Sequence, residues 1–322
     1  MNKKDLETFV CPTCRGELRL EGASDEVLQQ GQLRCGKCDE TFLIKGGIPR
    51  FVSADNYATT FGFQWNTHRE TQLDSHTGIP VSRNRVFSVT GWPEDMRGQT
   101  ILEAGSGAGR FTEILAGTGA DLYSFDYSTA CEANLENNGR FDNLRLFQGD
   151  IFHIPFAEGS FDKVFCLGVI QHTPDPERAF ASLARMVRPG GELVIDVYAN
   201  TLLARMQWYY LLRPITRRMD KDRLYKIISR WAPRLIPLSR FLRKIAGRAG
   251  ARLVPIVEFS YLGLPPELNR EWAILDTFDQ YSPAHDHPQS EASIRHWYEA
   301  AGFESVEVGR GPNGVVGKGV KI

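Results

Sequence analysis

The reading of this chain turns on Thr100-Ile101-Leu102-Glu103-Ala104-Gly105-Ser106-Gly107-Ala108-Gly109-Arg110. A short apolar strand runs into a Gly-x-Gly-x-Gly turn, and Arg110-Phe111-Thr112 open a helix. Backbone must come close to a ligand at such a turn. Glycines supply the sharp bend and the open surface, and the helix N-terminus supplies free N–H groups. Working outward, Ala120–Asp126 reads as a second strand. It ends in an acid 21 positions after Gly105, where an open α/β sheet places a carboxylate for two ribose hydroxyls. Asn143–Asp150 is a third strand with another terminal acid, and Phe161–Gly168 a fourth. Gly191–Tyr198 is a fifth, preceded by the turn Arg188-Pro189-Gly190-Gly191. Helical patterns alternate with these strands, which predicts a parallel sheet covered on both faces. A dinucleotide fingerprint would set its third glycine three positions after the second; here the step is two.

At the C-terminal end, Ser290–Gly302 reads as a helix with a glycine stop. Phe303–Val308 alternates like a strand, Pro312-Asn313-Gly314 turns, and Val315–Ile322 returns as a strand.

These motifs, in this order, resemble the class I S-adenosylmethionine-dependent methyltransferases, most of all their ubiquinone-biosynthesis-like (type 11) branch. The residues that carry the resemblance are Leu102–Gly109, Asp126, Gly149-Asp150-Ile151, Leu167-Gly168-Val169-Ile170-Gln171-His172 and Arg188-Pro189-Gly190-Gly191. The resemblance implies a Rossmann-like α/β fold with a seven-stranded sheet, six strands parallel and one antiparallel. It also implies S-adenosylmethionine as cofactor. Gly105, Ser106, Gly107 and Gly109 would line its methionine half, Asp126 would hold the ribose, and Asp150 and Ile151 would frame the adenine. Glu103, Tyr127 and Leu167 complete the implied cofactor set.

The 322 residues carry a net charge of −1, and 42% are hydrophobic, enough for a full core. No apolar run is long enough to span a bilayer. Met1–Glu7 lacks the apolar core of a signal peptide, so a cytoplasmic location is expected.

Cys11-Pro12-Thr13-Cys14 and Cys35-Gly36-Lys37-Cys38 form two knuckles separated by residues 15–34. Four thiolates so spaced suit one structural zinc ion. The segment is too short for a core of its own, so metal would supply much of its folding energy. A redox dithiol is the competing reading. The segment, through its exit Lys45-Gly46-Gly47-Ile48-Pro49, resembles the zinc ribbon of the small methyltransferase-activator family. Cys131 and Cys166 read as core residues.

The expected organisation is a zinc ribbon over 1–52, a helical cap segment over 53–96, and the methyltransferase domain over 97–200 and 286–322. A helical insertion or lid fills 201–285. In the cap segment, Arg83 and Arg85 are candidates for a cofactor carboxylate, or simply surface charges. Residues 201–252 hold 14 basic and 2 acidic residues, a net of +12, interleaved with Trp, Tyr, Leu and Ile. Basic amphipathic helices of this kind suit an anionic membrane surface, which would place the protein peripherally at the inner face of a membrane. A lid over the active site is the compatible alternative, and nucleic acid a third.

His172 follows the fourth strand at the ligand-binding edge and is the candidate general base. Otherwise it is a structural residue of the loop Thr173-Pro174-Asp175-Pro176. Tyr281, His285 and Asp279 are candidates on the substrate side. The expected activity is in-line transfer of a methyl group to a small-molecule or lipid-linked acceptor, directed at oxygen. The alternative is an RNA methyltransferase that uses ribbon and insertion to hold RNA. A scaffold that has lost its chemistry is the third reading, and the intact set Gly105, Gly107, Gly109, Asp126 and Asp150 speaks against it.

Overall fold

The computed structural model describes residues 3–21, 29–53, 56–201 and 207–322. Within the insertion, residues 202–206 lie outside this set. The first part holds the helical turn α1 (Lys3–Leu6) and strands β1 (Leu18–Glu21), β2 (Gln30–Cys35), β3 (Thr41–Lys45) and β4 (Ile48–Arg50). The cap segment holds α2 (Thr59–Thr67), α3 (Asp74–Thr77) and α4 (Val81–Thr90). Then follow β5 (Thr100–Ala104), α5 (Arg110–Ala116), β6 (Asp121–Asp126), α6 (Ala130–Asn138), β7 (Leu144–Gln148), β8 (Phe161–Leu167), α7 (Pro176–Met186) and β9 (Val187–Val197). The insertion holds α8 (Trp208–Thr216), α9 (Lys221–Ala251) and α10 (Pro266–Tyr281), and the chain closes with α11 (Glu291–Ala300), β10 (Phe303–Arg310) and β11 (Val315–Lys321).

Strands β5 to β9 are parallel where they pair, β11 runs antiparallel to β9, and β10 antiparallel to β11. Successive residues point to opposite faces of a strand. Accordingly Ile101, Phe165 and Val194 enter one core, while Leu102, Cys166 and Ile195 enter the other. Both faces are covered, as the near-continuous apolar strands predict. Caps fall where the sequence offers them: Asp175 accepts from Arg178 N, Asp220 from Arg223 N and Ser290 from Ser293 N.

Two expectations are corrected. The sheet has eleven strands, not seven, in the order β1-β2-β3-β4-β7-β6-β5-β8-β9-β11-β10. The outer side of β7 would otherwise present unpaired backbone groups. Strand β4 lies beside it, with Arg50 opposite Gln148 and Phe51 N donating to Gln148 O at 2.9 Å. Side chains complete the joint: Phe9 packs 4.8 Å from Phe156 and 5.3 Å from Phe147, ring centre to ring centre. Arg15 donates to the carbonyls of Ile154 and Phe156. The N-terminal strands and the parallel sheet share one apolar cluster. Second, Arg188-Pro189-Gly190 do not precede the fifth strand but belong to it. Strand β9 starts at Val187, and its register against β8 shifts between Phe161 and Lys163, which absorbs the left-handed Gly190.

Candidate active site and cysteine cluster

A cavity of about 780 Å³ opens at the carboxyl ends of the parallel strands, the edge where such sheets bind ligands. One wall is the glycine turn. Gly105 has φ +76°, and a Cβ there would lie 2.3 Å from Val169 Cγ2. Gly107 has φ +53°, and its Cβ would press on the Trp65 indole at 3.1 Å. Only glycine gives this path and this open surface. Ser106, Asp126, Tyr127, Ile151 and Leu167 continue the wall. Asp126 Oδ2 accepts from Gly107 N at 2.9 Å, while Oδ1 accepts from Ser128 N and Oγ. Burial pushes its carboxyl above the usual range, and these three donors hold it in place.

Three residues of the expected cofactor set do not line the cavity. Gly109 faces α6, where a Cβ would meet Asn134 Oδ1 at 2.1 Å. Glu103 lies beneath the turn and accepts from Thr112 Oγ1 at 2.6 Å and Ser124 Oγ at 2.7 Å. Burial raises its carboxyl to about 7, and its Oε1 has no partner among the described residues. Asp150 turns back on its own loop, to Phe152 N and His153 Nδ1.

The rest of the lining comes from the cap segment, the end of β9 and the insertion. Tyr57, Phe61, Trp65, Gln72 and Arg85 contribute from the first, Tyr198 from the second, and Trp272, Asp276 and Asp279 from the third. Asp276 Oδ1 accepts from Gln72 Nε2 at 2.7 Å, and Oδ2 from Trp272 Nε1 at 3.2 Å. It opens onto the cavity yet sits deep in protein, and this desolvation, with the charge of Asp279, raises its carboxyl to about 7. Asp279 accepts from Gln64 Nε2 at 3.2 Å and from the Tyr198 hydroxyl at 3.4 Å.

His172 lines the cavity. Its Nδ1 lies 3.1 Å from the His285 carbonyl. A carbonyl only accepts, so Nδ1 is the donor here and Nε2 is the ring nitrogen left to accept. His285 thus serves through its backbone; its ring packs against Tyr57 rather than lining the cavity. Tyr281 is corrected outright. Its hydroxyl donates to Pro255 O at 3.1 Å and its ring joins the apolar cluster of α9 and α10, because it closes the helix on the face turned away from the cavity. Arg83 pairs with Glu94 at the surface. Arg85 reaches the cavity, but its Nη2 is committed to the buried Asp196.

Asp276, Gln72, Trp65 and Tyr198 are not among the site residues expected from the sequence. One signal was present: Trp272, Asp276 and Asp279 stand at i, i+4 and i+7, one face of a helix. Tyr198, just past the end of β9, was placed by the strand-end rule alone.

Cys11, Cys14, Cys35 and Cys38 converge. Their sulfurs all lie within 4.8 Å of one another, with Cys14–Cys35 at 3.4 Å and Cys11–Cys38 at 3.7 Å. Zinc–sulfur bonds of about 2.3 Å in a tetrahedron set sulfurs about 3.8 Å apart. The geometry therefore fits one ion with four thiolates.

Residues 102–195 match the family model described as "Methyltransferase domain". The chain thus carries a methyltransferase domain and is an enzyme of the S-adenosylmethionine-dependent class. It is similar to an uncharacterized chloroplastic methyltransferase of Arabidopsis thaliana, 23% identical over 67% of this chain and 68% of that protein. It is also similar to a ubiquinone biosynthesis O-methyltransferase of Methylococcus capsulatus, 31% identical over 42% of this chain and 62% of that protein. The chain thus spans about two thirds of the first relative and less than two thirds of the second. A solved complex of the Haloferax volcanii Trm112 methyltransferase activator with a methyltransferase is similar at 14% identity, with a TM-score of 0.48, over 81% of this chain and 96% of that one.

Proposed function

We propose that this enzyme methylates a hydroxyl of a small-molecule or lipid-linked acceptor held in the cavity between the glycine turn and the Asp276–Asp279 face. The carrying observation is that one cavity joins a glycine-lined strand edge to an aromatic wall bearing a carboxyl poised near 7. The name of the Methylococcus relative, an O-methyltransferase, supports oxygen as the accepting atom. S-adenosylmethionine supplies an activated methyl on a sulfonium. Gly105, Ser106 and Gly107 would cradle it, Asp126 would accept from its ribose, and Tyr127, Ile151 and Leu167 would flank it. Trp65, Trp272 and Tyr198 would exclude water and orient the acceptor, and Asp276 would take its proton, with His172 Nε2 as the second acceptor on the same cavity. In the ribbon, Cys11, Cys14, Cys35 and Cys38 would hold one structural zinc ion, leaving no open position for catalysis.

Asp126→Ala is expected to weaken S-adenosylmethionine binding by about 1.5–3 kcal/mol, the value of charge-assisted hydrogen bonds. Titration calorimetry showing unchanged affinity, or binding of NAD in its place, would count against the cofactor assignment. The acceptor class is tested with labelled cofactor and separated lipid, small-molecule and RNA fractions of a cell extract. Label entering only RNA overturns the reading.

The proton role of Asp276 has a pH signature. Only its ionised form accepts a proton, so methyl transfer should rise with pH through about 7 and then level off. Asp276→Asn should lower kcat by about 10²–10⁴-fold and remove that limb. Because the folded-state value is raised, the stability that this group contributes is full below its unfolded value and is lost as pH rises through about 7. The variant should therefore melt higher than the parent at pH 8. A pH limb unchanged in Asp276→Asn assigns the proton to His172 instead.

A further inference from the structure

Helix α9 carries two apolar stripes, and the fold uses one. Leu224, Ile228, Ala232 and Ile236 are buried, the first three in a cluster with Ile274 and Phe278 of α10. The other stripe faces solvent: Ile227, Trp231, Leu238, Phe241 and Ile245 are 41%, 57%, 47%, 59% and 68% exposed. At about 100° per residue these five fall within about 40° of one line along the helix, a line that also carries the exposed Arg223 and Arg234, the latter over the Trp231 ring. A third arc, centred about 100° round from that line, is basic. It holds Lys226, Arg230, Arg240 and Lys244, all exposed, against one acid, Asp222, at its N-terminal end. Of the described cations of the insertion, Arg213 pairs with Asp286 and Arg243 with Glu258. The four of the basic arc are in no ion pair among the described residues.

We propose that this face of α9 docks on an anionic lipid surface, the helix lying flat with the Trp231–Ile245 stripe in the interface and the basic arc against the headgroups. Charge decides against a second copy of the chain, since that would set one +12 insertion against another. The stripe decides against RNA: phosphates and bases would use the cations and the rings, but would give Ile227, Leu238 and Ile245 nothing to bury against. No helix among the described residues is long and apolar enough to cross a membrane, so the contact is peripheral. The helical geometry breaks at Ala246 and Gly247, and beyond the break Arg248 and Arg252 line the cavity with Tyr261. Docking would therefore bring the cavity wall to the lipid surface.

The test is flotation of the full chain with vesicles of equimolar phosphatidylglycerol and phosphatidylcholine, beside pure phosphatidylcholine. The chain should float with the anionic vesicles only, and less at high salt. Trp231→Ser/Phe241→Ser/Ile245→Ser should lose about tenfold or more in partitioning, since each removes exposed apolar area. Lys226→Gln/Arg230→Gln/Arg240→Gln/Lys244→Gln should lose a similar factor and the salt dependence with it. Both variants alter exposed side chains, and unchanged melting curves check that they fold. The proposal is overturned by no flotation, by flotation that the triple variant leaves intact, or by RNA retention on filters without flotation. It is equally overturned if light scattering shows a dimer that the triple variant splits.

Discussion

Gly105→Ala is expected to abolish cofactor binding. The position sits at φ +76°, and the new methyl would lie 2.3 Å from Val169 Cγ2 and 2.7 Å from Cγ1. Left-handed backbone costs a residue with a Cβ about 1–2 kcal/mol, and overpacking adds about 1–3 kcal/mol. The turn must shift to relieve this, and the Gly107 N–H bond to Asp126 shifts with it. The cavity wall and its anchoring carboxylate are lost together. Melting should fall by roughly 5–15 °C, and affinity for S-adenosylmethionine by more than about a hundredfold. Adding Val169→Ala relieves the clash but not the backbone, so the double variant should recover only part of the loss. Wild-type affinity in Gly105→Ala would mean that the turn does not approach the cofactor.

The second large effect is expected at the four-cysteine cluster. Purified without chelator, the protein should contain one zinc ion per chain by elemental analysis. Cys35→Ser, at a fully buried sulfur, should lower melting by more than about 10 °C, because metal closure is folding energy for so short a segment. The damage should spread, since Phe9, Phe42 and Phe51 belong to the same apolar cluster as Phe125 and Phe147. Loss of near-ultraviolet aromatic dichroism on chelation would report it. Zinc-free protein with the four thiols joined in disulfides would reject the site.

Much of this was legible in the sequence because it is local. The glycine turn, the strand-end acid Asp126, the knuckle cysteines and the late hairpin are each fixed by neighbours in the chain. What escaped is set by convergence. Asp276 and Gln72 are far apart in sequence and meet only because the cap segment and the insertion fold over one edge of the sheet. Tyr281 was drawn to the site by its polar neighbours, yet its position on α10 turns it into packing. The pairing of β4 with β7 left no trace in either strand, because an edge that accepts a partner carries the same alternation as one that does not.

That pairing also bears on how the chain is made. Arg50 and Gln148, the residues that meet across the seam, are 98 positions apart. At about 5–20 residues per second, a ribosome needs roughly 5–20 s to deliver the second after the first. During that interval the N-terminal strands are present while the strand beside them is not, and Phe9 and Phe51 lack the Phe147 ring that they pack against in the finished fold. The nascent chain therefore passes through a stage with a sticky aromatic face and an open strand edge. Slow translation between residues 51 and 148, or a shortage of chaperone, should show first as aggregation of incomplete chains and not as loss of activity in finished ones.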